Sequence, residues 1–281
     1  MSEPGRLVLV GTPIGNLGDM SPRAVEALGC ADVVCCEDTR RTGRLLKHFD
    51  VRAPRLLVVN EHTETSVTKE VVDLVAGGRV VAVVSDAGMP GISDPGERLV
   101  AAVLEADLPV EVVPGPAAAV AALVLSGLPA GRFVFEGFLP RKGSGRTERL
   151  AAVAAERRTV VLYEAPHRLA RTLDDLIRLC GPDRRVVLAR ELTKLHEETI
   201  RTSLAEARAV LDEQAPRGEY VVVLDGAPES AEVNDDEIVE AISRLRAAGA
   251  SNRDAATEVA SALGVSRRRV YELATTTGHG A

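Results

Sequence analysis

Residues 80–96 read VVAVVSDAGMPGISDPG. The apolar run Val80–Val84 predicts a buried strand, and the Ser85–Gly96 segment that follows is a long loop rich in Gly and Pro. Open α/β sheets bind their ligands at the carboxyl ends of the strands, where this loop begins. The loop can therefore present backbone groups to a small molecule, with Asp86 available for a hydroxyl or ammonium group. Asp94-Pro95 predicts the cap and first residue of the next helix.

Short Val/Leu runs alternate with amphipathic helical stretches on either side of this segment, which predicts βαβ units and a parallel sheet. The predicted strands of a first block are Leu7–Val10, Val33–Cys36, Leu56–Val59, Val80–Val84 and Val110–Val113. A second block predicts strands at Phe133–Phe135, Val160–Tyr163, Val186–Ala189 and Tyr220–Leu224. Ser21-Pro22 predicts a helix start, and Ser203 with Glu206 predicts a capping box. Beyond a polar linker, three helices are predicted at Asp236–Ala247, Asn252–Leu263 and Arg267–Ala274.

Two further loops follow predicted strands at the same edge of the sheet. Gly11–Gly15 follows the first strand, and Pro114–Ala119 opens a helix with small residues after the fifth. Neither has the spacing of a dinucleotide fingerprint or of a phosphate loop. Taken alone, the first loop is equally well explained by a tight turn, and the second is better explained by close helix–sheet packing. Together the three loops favour a small-molecule pocket, and because none contains a lysine, the ligand is expected to lack phosphate.

Composition excludes several classes of protein. The 281 residues carry a net charge of −7, so the overall field does not attract bare nucleic acid, and RNA contacts would need local basic patches. Aromatic residues make up 2% and Trp is absent, which argues against base-stacking platforms. The cysteines Cys30, Cys35, Cys36 and Cys180 form no CxxC pair, so we expect free thiols and no metal site. No targeting signal or membrane-length apolar run is seen, which predicts a soluble, cytoplasmic protein.

Eight ordered segments resemble the tetrapyrrole-methylase superfamily of methyltransferases and, within it, the family that methylates a cytidine 2′-hydroxyl in small-subunit (16S) ribosomal RNA. They span roughly residues 6–225 and read LVGTPIGNLGDMSPRA (9–24), CEDTRRT (36–42), NEHTE (60–64), VSDAGMPGISDPG (84–96), PGP (114–116), FEGFLPRK (135–142), YEAPHR (163–168) and ARELTKLHEE (189–198). So many segments in order are far more specific than any single motif. Two positions depart from common patterns: Asn16 stands where tetrapyrrole-modifying members usually carry Asp, and Ala117 where many relatives carry Ser.

The resemblance implies an α/β protein with two α/β domains of tetrapyrrole-methylase type and S-adenosylmethionine bound between them. It also implies a homodimer that acts on small-subunit ribosomal RNA. No metal and no membrane partner are expected. The expected domains are residues 1–128 and 129–227, followed by a small helix-turn-helix-like tail at 232–281. The implied cofactor-binding residues are Ile14, Gly15, Asp86, Ala87, Gly88, Met89, Ile92, Ser93, Pro116, Ala117, Ala118, Tyr163, Glu164 and Ala165.

Methyl transfer to a hydroxyl calls for a group that takes the proton. The candidates after predicted strands are Asp38, Glu61, His62 and His167, with Glu37 and Glu164 beside them. Histidine titrates near neutral pH, but either histidine could be a surface residue, and Asp38 could cap a helix. The polar density of Asn60-Glu61-His62 slightly favours that segment.

Basic residues supply the RNA contacts that this function would need. The candidates are Arg40, Arg41 and Arg44 in one patch, Arg141 and Lys142 in a loop together with Arg146 and Arg149, and Arg267, Arg268 and Arg269 at the last helix of the tail. A charged solvent-facing surface or a docked helical appendage would explain them equally simply. Two rival functions are a methyltransferase acting on a tetrapyrrole precursor and a non-catalytic nucleic-acid-binding ligand sensor.

Overall fold

The computed structural model describes residues 5–60, 63–228, 234–263 and 265–276. The chain divides into two compact units, residues 1–227 and 228–281. The first unit contains two five-stranded sheets, and the second is helical.

The first sheet is parallel throughout, as predicted. Its strands are β1 (Arg6–Val10), β2 (Val33–Cys36), β3 (Leu56–Val58), β4 (Val80–Val83) and β5 (Val110–Val113), in the order β3-β2-β4-β1-β5. Each lies within one residue of its predicted bounds because continuous Val/Leu runs suit strands that are buried on both faces. The carboxyl ends of β1, β4 and β5 therefore bring the three predicted loops to one edge.

Four helices pack against this sheet: α1 (Pro22–Gly29), α2 (Thr39–His48), α3 (Glu64–Ala76) and α4 (Glu97–Glu105). The helix that follows β5, α5 (Ala118–Ser126), packs against the second sheet instead. Ser21 caps α1 as predicted, accepting the Ala24 N–H at 3.1 Å. The prediction that Asp94-Pro95 starts α4 is wrong, because Gly96 precedes that helix with a φ of 136°. The Glu64 carboxylate accepts the Gly96 N–H instead, which leaves Asp94 free of the capping role.

The second sheet is mixed, with β10 antiparallel to its two neighbours. Its strands are β6 (Phe133–Phe138), β7 (Thr159–Glu164), β8 (Arg185–Arg190), β9 (Glu198–Ser203) and β10 (Tyr220–Leu224), in the order β6-β7-β10-β8-β9. Its helices are α6 (Ser144–Ala155), α7 (Pro166–Cys180) and α8 (Leu204–Glu213), and Ser203 and Glu206 form the predicted capping box. The polar edge strand β9 was not predicted, because its sequence ETIRTS shows little apolar alternation.

The helical unit consists of α9 (Asp235–Ala247), α10 (Asn252–Leu263) and α11 (Arg267–Thr276), as predicted. Ile238, Ile242, Val259 and Val270 are buried together and form its core. No helix within the described residues is both long and apolar enough to span a membrane.

Candidate active site

A cavity of about 560 Å³ lies at the carboxyl edge of the first sheet, facing the second. Its walls come from the loop after β1, the loop after β4, the start of α5 and the ends of strands in the second sheet. The volume is within the roughly 300–1,000 Å³ common for small-molecule sites. The two sheets of the first unit thus enclose a pocket between them.

The loop after β4 is held rigidly against the loop after β1. The backbones of Thr12 and Gly88 exchange two hydrogen bonds, of 2.8 and 3.2 Å. The Thr12 hydroxyl also lies 3.3 Å from the Ser85 carbonyl oxygen, to which it donates. Gly11 must be glycine, because a Cβ atom there would lie 2.6 Å from the Gly115 Cα. Tight backbone packing of this kind preorganises the cavity wall.

Aromatic rings form the opposite wall of the cavity. Tyr163 packs edge-on against Phe135 with ring centroids 5.0 Å apart, and Phe138 lies 5.5 Å from the same ring. The Tyr163 hydroxyl accepts a hydrogen bond of 3.3 Å from the Ala119 N–H, and burial raises the pKa of this phenol. The wall therefore offers flat apolar surface to a ring while tying the second sheet to α5.

Three carboxylates come together where the loops after β2 and β4 meet. Asp94 lines the cavity, and burial, with the nearby Glu37 charge next, raises its pKa to about 7. A hydrogen bond from Ser85 works in the opposite direction but is outweighed. Glu37 accepts the Asp86 N–H at 3.1 Å, and burial raises its pKa as well. Asp94 is thus a carboxyl group that can exchange a proton near neutral pH.

Lys194 lines the same cavity and was missed by the sequence interpretation. Its ammonium donates to Glu191 and to Glu219, at 2.8 Å each. Burial alone would lower its pKa, but these two carboxylates outweigh burial and raise it. Glu191 and Thr193 both have positive φ, 50° and 64°, in the turn that carries Lys194. Strained turns of this kind cluster at functional sites. The signal that the sequence offered was the position of Lys194 inside the segment 189–198, which belongs to the family resemblance.

A second cavity, of about 410 Å³, adjoins the first. Ile14, Ala87, Lys194 and Glu219 line both cavities. Its remaining lining includes Gly15, Ser85, Asp86 and two arginines of α2, Arg41 and Arg44. The second cavity is therefore more polar in its residues than the first.

Most of the predicted cofactor-binding residues line the first cavity. They are Ile14, Ala87, Gly88, Met89, Ile92, Ser93, Ala117, Ala118, Tyr163, Glu164 and Ala165. Gly15 and Asp86 line the second cavity. Pro116 lies at the edge, with its carbonyl oxygen 3.4 Å from the position that a Cβ on Gly88 would take.

The predicted catalytic residues are dispersed. Asp38 caps α2, accepting the Arg40 N–H at 2.8 Å, and its pKa is lowered by the Arg40 guanidinium and this N–H. His167 is an exposed residue in the first turn of α7 and lines neither cavity. Glu61 and His62 lie outside the described residues.

The predicted RNA-binding residues are exposed except for Arg269, and one residue of the accompanying patch needs a correction. Arg40 and Arg41 are 86% and 58% exposed, and Arg44, Arg141, Lys142, Arg267 and Arg268 are also exposed. Arg269 is half-buried and pairs with Asp235 at 2.7 Å. Arg146 is only 4% exposed, so its assignment to a surface patch was wrong. Its guanidinium is held by Asp175, Thr172 and the Pro140 carbonyl.

The four cysteines do not form disulfides. Cys30, Cys35, Cys36 and Cys180 are free thiols, and burial raises the pKa of Cys35 to about 12. No group of three or more His, Cys, Asp or Glu residues within the described ranges is arranged to hold a metal ion.

Comparison with known proteins matches most of the chain. The family model described as Tetrapyrrole (Corrin/Porphyrin) Methylases matches residues 6–208. The chain is 45% identical over 271 residues to a ribosomal RNA small subunit methyltransferase I from Synechocystis sp., covering 96% of this chain and 97% of that protein. A protein of the same name from Mycobacterium tuberculosis is 46% identical, with coverage of 95% and 94%.

Solved structures share the fold at lower identity. The methyltransferase CobJ superposes with a TM-score of 0.62 at 22% identity, covering 80% of this chain and 95% of that one. Uroporphyrin-III C-methyl transferase from Thermus thermophilus, complexed with S-adenyl homocysteine, gives a TM-score of 0.57 at 22% identity, with coverage of 79% and 97%.

Proposed function

This chain belongs to the tetrapyrrole (corrin/porphyrin) methylase family and, within it, to the ribosomal RNA small subunit methyltransferase I group, and we propose that it transfers a methyl group from S-adenosylmethionine to the 2′-hydroxyl of a cytidine in small-subunit ribosomal RNA. The observation that carries the proposal is the first cavity, which joins an aromatic wall to a carboxyl group able to take a proton. Such a site suits methyl transfer to a hydroxyl.

The residues of the first cavity fit the cofactor. Its apolar and aromatic walls suit an adenine ring, and small residues at the start of α5 leave room beside the backbone. Lys194, the cation of this lining, is neutralised by two carboxylates, so the cavity is not built for phosphate. When bound, S-adenosylmethionine would supply an electrophilic methyl group on a sulfonium. The negative charge of the Asp94 carboxylate would stabilise the positive charge of this sulfonium.

Asp94 is the group we assign to take the hydroxyl proton. The Asp94 carboxylate would accept the proton of the ribose hydroxyl during methyl transfer, for which bound S-adenosylmethionine would supply the methyl group. Its pKa of about 7 lets Asp94 be ionised at neutral pH and still accept a proton, the match that general-base catalysis requires. The rigid loop after β4 keeps this carboxylate in place, and positioning contributes much of the rate.

The exposed arginines of α2, the Arg141-Lys142 loop and α11 are proposed to contact RNA phosphates, because the net charge of −7 leaves only local patches for this task. A folded ribosomal particle, in the cytoplasm, is the proposed substrate. We also propose a homodimer. Val120 and Val124 on α5 are 51% and 72% exposed, an apolar surface that a second subunit would cover.

Tritiated methyl transfer tests the proposal directly. Small ribosomal subunits from cells that lack this activity are incubated with the protein and labelled cofactor, and the labelled nucleotide is mapped. We expect label on a cytidine 2′-oxygen. If cofactor binds but subunits take no label, the proposed substrate is wrong and a tetrapyrrole becomes the next substrate to test.

A further inference from the structure

The second cavity is large enough for a nucleoside and lies against the first. Its volume of about 410 Å³ is within the range of small-molecule sites. Because Ile14, Ala87, Lys194 and Glu219 line both cavities, molecules bound in the two cavities would lie next to each other. Methyl transfer needs two adjoining sites of this kind, one for the donor and one for the acceptor.

Asp86 lines this cavity and has a carboxylate oxygen without a hydrogen-bond partner among the described residues. Its Oδ2 atom lies 3.3 Å from an Arg41 guanidinium nitrogen, whereas its Oδ1 atom is shielded from solvent and has no hydrogen-bond partner among the described residues. A shielded acceptor without a partner is unfavourable and gains from any donor that reaches it. The χ2 torsion of Asp is broad, so a small rotation turns this oxygen to the cavity.

A carboxylate distinguishes between the pyrimidine bases. Ionised Asp only accepts hydrogen bonds, so it pairs with the exocyclic amine of cytosine and opposes the O4 oxygen of uracil. Arg41 and Arg44, on α2, line the cavity with exposed side chains, where a nucleotide's phosphates would meet them. A base turned out of its stack would therefore find a base-reading group and a phosphate-binding group in the same cavity.

We propose that the second cavity holds the target nucleotide, with Asp86 accepting from the cytosine amine and Arg44 contacting a flanking phosphate. This inference rests on the proposed function. It moves Asp86 from the cofactor to the RNA substrate, and it makes Asp86 a determinant of base specificity.

The test uses the full-length protein and small subunits that carry either cytidine or uridine at the mapped target position. Asp86→Asn keeps the size of the side chain but adds a donor. We expect its kcat/KM on cytidine subunits to fall by about ten-fold or more, since a good base contact is worth about that much discrimination. Its preference for cytidine over uridine should shrink by a similar factor. Its affinity for S-adenosylhomocysteine by calorimetry should stay unchanged, and Asp73→Asn, an exposed substitution on α3, serves as the control.

Arg44→Ala provides a test at an exposed position, where misfolding is not expected. We expect a higher KM for subunits with cytidine and uridine alike, while Arg23→Ala on α1 keeps the wild-type KM. An unchanged KM for Arg44→Ala, or an Asp86→Asn protein that keeps its base preference but binds cofactor weakly, overturns the inference. Failure of the wild-type protein to label any subunit would instead contradict the proposed function itself.

Discussion

The hydroxyl of Tyr163 accepts the backbone N–H of Ala119 at 3.3 Å, joining strand β7 to the first turn of α5 across the first cavity. This bond satisfies one of the orphan N–H groups at the helix start, where no side-chain cap is present. It also fixes the spacing between the aromatic wall and the small residues opposite. Through this hydrogen bond, Tyr163 is a positioning residue for the ligand of the first cavity.

Tyr163→Phe should weaken cofactor binding without unfolding the protein. The ring stays packed against Phe135 and Phe138, but the Ala119 N–H loses its partner, which costs about a ten-fold drop in affinity. Calorimetric titration with S-adenosylhomocysteine measures this. Tyr271→Phe, in the helical unit, is the matched control and should bind normally. Equal affinities for the two variants would remove Tyr163 from this role.

Asp94→Asn should lower methyl transfer by about 10²–10⁴-fold, the usual contribution of a general base. In the wild-type protein, the rate should rise as the pH passes through about 7, because only ionised Asp94 accepts a proton. The variant should lose this dependence. A pH–rate profile of the variant that still rises through the same region would assign the proton acceptor elsewhere, with Glu61 and His62 the next residues to substitute.

The ionisation of Asp94 can also be detected without cofactor, because it makes the stability of the folded protein depend on pH. Its pKa in the folded protein, about 7, lies above the ordinary value of 3.8, so between these pH values the folded state holds a proton that the unfolded state has released. Its contribution to stability is therefore complete below about pH 4 and is lost as the pH rises through 7. Urea unfolding between pH 4 and 8 should show a smaller decline for Asp94→Asn than for the wild-type protein.

Glu64→Ala should destabilise the first unit by about 1–3 kcal/mol, because the buried Glu64 carboxylate accepts backbone N–H groups at the start of α4 that would lose their partner. Urea denaturation measures the change. Glu105→Ala, at the exposed end of α4, should shift stability by no more than about 0.5 kcal/mol. A loss as small as that of the control would show that water replaces the cap at no cost.

Substitutions at Arg146 and Arg141 should have different effects, the first on protein stability and the second on RNA binding. Arg146→Met removes the buried guanidinium that bonds to Asp175, Thr172 and the Pro140 carbonyl; because Arg178 still pairs with Asp175, the loss should be about 1–3 kcal/mol. Arg141→Ala, at an exposed position, should leave stability unchanged and raise the KM for subunits. Thermal unfolding and methyl-transfer kinetics on the same two proteins provide the measurements, and an equally stable Arg146→Met would contradict the structural role.

Deletion of residues 232–281 should leave cofactor binding intact, because the first unit, residues 1–227, is compact by itself. RNA substrate use should fall, since the exposed Arg267 and Arg268 would be lost. Calorimetry and subunit methylation are compared for the full and shortened chains. If the shortened chain methylates subunits at the full rate, the helical unit does not take part in substrate binding.

Local patterns sufficed for much of this architecture. Apolar runs such as Val33–Cys36, the Ser21-Pro22 cap and the Ser203–Glu206 capping box depend on neighbours in the chain, and each appears in the structure as predicted. The edge strand β9 has no such local pattern and was missed. Asp94 followed by Pro95 has a local cap pattern, but a carboxylate from α3 took the capping role.

The sequence alone determined the order of every strand and helix except β9 and placed three loops at one sheet edge, because hydrophobic periodicity and capping are set by residues close together in the chain. Only the tertiary structure decided which charges meet. Glu37, Asp86 and Asp94 come from two loops, and the burial of Asp94, together with the charges of Glu37 and Asp86, raises its pKa. Lys194 and Glu219 reach the cavities from the second sheet, while Arg146 is withdrawn from solvent by Asp175. Burial and electrostatic coupling depend on distances in space, which separation along the chain does not specify.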